Sequence, residues 1–129
     1  MRELTTVPIL DIDLVQPDGA APPVAALTQA LADAAGHVFG SAPGRTWVRL
    51  RTLPTSQYAE NDAVLAPDEG PVFVTVLHAR PPHDDALAIE VAALTQAVSA
   101  ALGRAQDRVH VQYAPAAAGR QAFGGSLVR

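Results

Sequence analysis

The 129-residue chain contains no cysteine and no lysine. Without cysteine there are no disulfides, no thiolate nucleophile and no thiolate-held metal, and redox chemistry does not fix the compartment. Without lysine there is no Schiff base and no lysine general base. All nine basic residues are arginines, and the formal charge is −4. That balance is poor for gripping a phosphate backbone, so nucleic acid is not an expected partner. Arginine's planar fork suits carboxylates, which keeps small anionic ligands open. Aromatic residues make up only 5% of the chain. No apolar run is expected to span a membrane. "MRELTTVPIL" lacks the apolar stretch and cleavage site of a secretory signal, so the expected compartment is the cytoplasm.

What is present is enough apolar residue, 49% with 17% charged, to build one packed domain. The word "VAALTQA" occurs twice, at Val24–Ala30 and Val91–Ala97. The elements around the two copies follow the same order. "VPILDIDLV" (residues 7–15) reads as a strand with Ile9, Asp11 and Asp13 on one face and Leu10, Ile12 and Leu14 on the other. After a Pro-containing loop, a helix follows with Val24, Leu27, Leu31, Ala34 and Val38 on one stripe, ended by Gly36 or Gly40. "RTWVRLRTL" (45–53) reads as a strand with Trp47, Arg49 and Arg51 on one face. A polar loop runs over 54–70. "PVFVTVLHAR" (71–80) reads as a strand buried on both faces. Asp84 or Asp85 is the expected cap of a second helix, with Leu87, Val91, Leu94, Val98 and Ala101 on its stripe and Gly103 at its end. "DRVHVQYA" (107–114) reads as a strand, and 115–129 as a turn with a brief edge strand. The expectation is an α/β single domain. Residues 1–7 are an extension, 8–53 a first β-α-β unit, 54–70 a linker and 71–114 a second unit. Two right-handed crossovers give a four-stranded sheet with both helices on one face. The other face needs a cover, and oligomerisation supplies one.

The order of "VPILDIDL", "WVRLRTLPTSQYAEN", "PVFVTVLHARPP" and "RVHVQYAPAAAGRQAFGG" resembles the tautomerase superfamily. That group includes 4-oxalocrotonate tautomerase, 5-(carboxymethyl)-2-hydroxymuconate isomerase, malonate semialdehyde decarboxylase, cis-3-chloroacrylic acid dehalogenase and macrophage migration inhibitory factor. The resemblance implies a trimeric, barrel-like assembly and cofactor-independent tautomerisation of a small 2-keto or 2-hydroxy-dienoate acid. The four histidines, His37, His78, His83 and His110, show no ligand spacing with one another, so no metal is expected. The family's base is an amino-terminal proline, which Pro8 matches. In this sequence the Pro8 nitrogen is an amide, because "MRELTTV" precedes it. Three readings follow: Val7 is encoded by a GTG codon that starts translation, the leading residues are cut away, or the extension is genuine and the base is missing. The dehalogenase pattern fails at Ala35, Ala79, Pro82, Gln112 and Ala122, where its functional residues would fall.

The substrate-binding residues the resemblance implies are Arg49, Arg51 or Arg80 for the carboxylate, Tyr58, Phe123 or Trp47 for the apolar wall, and Tyr113 as a candidate acid. Each has a plainer reading. Arg49 and Arg51 suit a solvated or interface strand face, and Arg80 suits an ion pair with Asp84 or Asp85. Tyr58 suits packing on its own loop, and Tyr113 suits a sheet position with its hydroxyl satisfied. The competing function is a non-catalytic binding or assembly protein on the same fold. A third reading, a ferredoxin-like ligand domain, predicts dimers instead of trimers.

Overall fold

The structure, a computed structural model, describes residues 7–129. Of the anticipated extension only Val7 lies within that range. Strand β1 (Ile9–Gln16), helix α1 (Ala25–Phe39) and strand β2 (Trp47–Pro54) form a first unit. A 3-10 turn at Thr55–Gln57 and a loop lead to β3 (Val72–Leu77), α2 (Asp84–Leu102) and β4 (Val109–Tyr113), which repeat the order. The sheet runs β2-β1-β3-β4. Each unit pairs its strands in parallel, and the units join through the antiparallel β1–β3 pair.

Alternation decides the faces. Leu10, Ile12 and Leu14 of β1 and Val72, Val74 and Val76 of β3 point to one side. There they pack with Leu31 and Ala35 of α1 and Leu94 and Val98 of α2. Both helices therefore cover the same face. Gly40 and Gly103 close them in the left-handed region, at φ 64° and 65°, where glycine has no Cβ penalty.

The two units superimpose in sequence at a spacing of 63 residues, not at the 67 of the repeated word. Pro8 and Pro71, Leu31 and Leu94, Ala35 and Val98, and Gly40 and Gly103 each stand 63 apart. The "VAALTQA" copies are thus out of step by four residues, about one helical turn. They share a helical period without occupying equivalent places. The repeat is real, but the matched word is not its register.

Several local expectations need correcting. Val24 sits at the α1 cap and is 65% exposed, and Ala35 and Phe39 contribute to the packed face in its place. His83, not Asp84 or Asp85, takes the α2 cap position, and both aspartates lie in the first turn. Asp84 has φ 52°, a left-handed turn that Asp tolerates. There the aspartates still oppose the positive end of the helix dipole. By length and mean hydropathy (1.4), α2 passes for a membrane span where the sequence suggested none. Its Leu94 and Val98 are instead core residues against the sheet. Strand β3 is buried on one face only: Phe73, Thr75 and Leu77 are half-buried. They lie on the sheet face that no helix covers, with Ile9, Asp11, Asp13, Trp47, Arg49, Arg51, His110 and Gln112. The tail forms a separate hairpin, β5 (Ala122–Phe123) with β6 (Ser126–Leu127), in place of an edge strand.

Candidate active site

The site begins where the β1–β3 pairing runs out. Ile9 pairs with Leu77, so Pro8 and His78 are the next residues on either side. The Pro8 carbonyl accepts from the Trp47 N–H at 3.0 Å, which ties the same point to β2. The α1–β2 connection passes alongside. A cavity of about 220 Å³ results, lined by Pro8, Phe39, Gly40, Ser41, Ala42, Arg45 and His78. Of the residues anticipated from sequence, only Pro8 lines it.

Its polar side chains are those of Ser41, Arg45 and His78. Arg45 supplies a cation. The Ser41 and Thr46 hydroxyls share a 2.6 Å hydrogen bond. His78 is half-buried with its ring 6.0 Å from that of Phe39. Burial pushes its pKa below the usual histidine value, and the Glu90 charge opposes this only in part. The Nδ1 of His78 accepts the Arg80 backbone N–H at 3.1 Å. Val7 is 1% exposed, and its carbonyl carbon occupies the Pro8 nitrogen as an amide.

The anticipated arginines are elsewhere. Arg49 makes a two-pronged ion pair with Asp11, at 2.6 and 2.9 Å, on the uncovered sheet face. Arg51 lies 3.4 Å from Asp13 on the same face. The β1–β2 register puts each arginine directly opposite its acid. Arg80 is exposed and makes no ion pair with Asp84 or Asp85 among the described residues, and it reaches the cavity only through its backbone N–H.

The aromatic residues are likewise committed. The Tyr58 hydroxyl donates to Glu60 at 2.7 Å, and Arg108 reaches the same oxygen at 2.9 Å. Burial and then this bond raise the Tyr58 pKa, while the bonds from Tyr58 and Arg108 lower that of Glu60. The Tyr58 ring lies 5.8 Å from Phe73. Tyr113 donates to Glu90, and burial together with that carboxylate keeps it protonated. Phe123 meets Trp47 edge-on at 5.2 Å, at a corner of the uncovered face.

The sequence matches no protein-family model and no curated protein. Its fold does match solved structures. A fused 4-OT solved as a symmetric trimer is 24% identical, with a TM-score of 0.64 over 92% of this chain and 94% of that one. A macrophage migration inhibitory factor from Toxoplasma gondii is 19% identical, with a TM-score of 0.65 over 92% and 98%. A protein inactivated by 2-oxo-3-pentynoate is 17% identical, with a TM-score of 0.69 over 93% and 95%. The two β-α-β units, joined antiparallel with both helices on one side, thus give this chain the tautomerase fold.

Proposed function

We propose that this chain is a cofactor-independent tautomerase or isomerase. It moves a proton on a small 2-keto or 2-hydroxy-dienoate carboxylic acid in the cytoplasm. The observation that carries this reading is the position of Pro8, buried at the edge of a cavity that also holds Arg45. The likeness to a protein inactivated by a 2-oxo acid supports the substrate class.

Pro8 acts once its nitrogen is freed. A secondary amine in a poorly solvated pocket resists protonation, and a nearby arginine lowers its pKa further. It then takes a proton alpha to the carbonyl and returns it at another carbon of the enol. Arg45 holds the carboxylate, in place of Arg49, Arg51 or Arg80. The trimeric state of the fused 4-OT supports a homotrimer here, with neighbouring copies covering the open sheet face. In that assembly Arg49, Arg51, Tyr58 and Phe123 are interface residues.

The test compares the full chain with a form beginning at Pro8, its amino terminus confirmed by intact mass. Both are assayed for tautomerisation of 2-hydroxymuconate and phenylenolpyruvate. Only the shorter form is expected to turn over, and Pro8→Ala in it is expected to lower the rate by about 10² to 10⁴-fold.

A second reading is a binding or assembly protein on the same fold. The burial of Val7 favours it, because that residue closes the proline nitrogen. Folded but inactive protein in both forms would decide for it.

A further inference from the structure

The cavity holds a polar group whose hydrogen is placed by the backbone. His78 follows β3, and its Nδ1 accepts the N–H of Arg80. A ring nitrogen that accepts a hydrogen bond carries no proton. In the neutral ring the hydrogen must then sit on Nε2. Among the described residues, Nε2 has no hydrogen-bond partner. The ring is one wall of the cavity, held against Phe39. We propose that His78 is a neutral Nε2–H donor to the oxyanion of a bound 2-oxo carboxylate, whose carboxylate group lies on Arg45.

A neutral donor suits this position. An enolate formed by proton removal next to a carbonyl carries its charge on oxygen. A fixed N–H aimed at that oxygen stabilises it without being consumed, and an imidazole serves in this way while uncharged. The surroundings keep it uncharged. From α1 the ring meets Phe39, and Arg45 on the α1–β2 connection shares its cavity. From α2 the charge of Glu90 favours protonation. Glu90 already accepts the Tyr113 hydroxyl, which spreads part of that charge. Burial is the larger influence, and it holds the ring neutral. Nothing in this arrangement requires the Pro8 amine. The site binds the anion whether or not Pro8 is free, although its value in catalysis rests on the tautomerase reading.

The test uses oxalate, a planar dianion that resembles the enolate of a 2-oxo acid, and the full chain labelled with ¹⁵N. Two-bond ¹H–¹⁵N spectra report which His78 nitrogen carries hydrogen. The expected result is the Nε2–H form near pH 7.5, with oxalate shifting the Nε2 resonance. His78→Ala is expected to weaken oxalate binding by about 10- to 100-fold. His78→Gln, which keeps a neutral N–H donor, is expected to recover part of that loss. An Nδ1–H form, an Nε2 resonance unmoved by oxalate, or no oxalate binding by the wild type overturns the proposal. If His78→Ala does not fold, the two wild-type spectra decide. An inactive Pro8 form with intact His78-dependent binding sinks only the proline base. Unchanged turnover and unchanged oxalate affinity in His78→Ala sink only this inference.

Discussion

The two ends of the β1–β3 pair are related by the repeat, and they have been finished differently. At one end Pro8 stands beside His78; at the other Pro71 stands beside Val15, whose N–H donates to the Pro71 carbonyl at 3.0 Å. The residue before the proline is Val7 in the first unit and Gly70 in the second. The residue after the helix-ending glycine is Ser41 in the first and Arg104 in the second. Arg104 Nη1 donates to the carbonyls of Val15, at 2.9 Å, and Gly70. A Cβ on Gly70 would collide with the Val15 carbonyl oxygen. The second end is therefore plugged with a guanidinium spent on backbone carbonyls. At the first end a short serine follows the helix and a cavity remains. Equal folds do not require equal sites, and one long side chain in place of a short one closes the pocket.

The strongest test of the structural equivalence is the core. Leu31→Ala and Leu94→Ala occupy matching places and are each expected to cost about 2–5 kcal/mol in urea unfolding. A loss at only one position would break the 63-residue register. Next comes Gly70→Ala, expected to destabilise by about 1–3 kcal/mol because the new methyl meets backbone that has nowhere to go. A neutral result would show that the second end is looser than described. Arg104→Met keeps the stem but removes the donor from two carbonyls. It is expected to cost roughly 1–3 kcal/mol and to leave oxalate binding at the first end unchanged. Altered binding would mean that the two ends communicate.

The smallest effect is that of pH. His78 has a folded pKa below its unfolded value, so between the two the unfolded chain binds more protons. Stability is expected to fall as pH drops from about 6.5, the ordinary histidine value, and to level off below the folded pKa. Thermal melts of the wild type and His78→Gln across pH 5–8 would separate this contribution, which the variant lacks. A wild-type slope equal to that of the variant would place the ring in water instead of in the cavity.

Much of the fold was legible because alternation and helical spacing are local. The Leu10-Ile12-Leu14 face, the terminating Gly103 and the strand carrying Trp47, Arg49 and Arg51 could all be read without knowing any partner strand. The site was less legible because it is made by register. Arg45 lies in a connection, His78 lies just beyond a strand, and only the antiparallel β1–β3 pairing brings His78 to Pro8. Arg49 and Arg51 attracted attention for their spacing of two. The same spacing in Asp11 and Asp13 was the signal that they would be neutralised across the parallel β1–β2 pair. The aromatic residues misled for a related reason. Tyr58 and Tyr113 find carboxylates from Glu60 and Glu90, contacts that no periodicity announces.

Trp47 is the chain's single tryptophan. Its indole N–H donates to the Gly44 carbonyl at 3.0 Å, its ring meets Phe123, and it is 40% exposed on the uncovered sheet face. The molecule thus carries one indole fluorophore, placed where a neighbouring copy would exclude water. If copies assemble on this face as proposed, its emission should move to longer wavelength when dilution separates them, so that light from one side chain reports the contact.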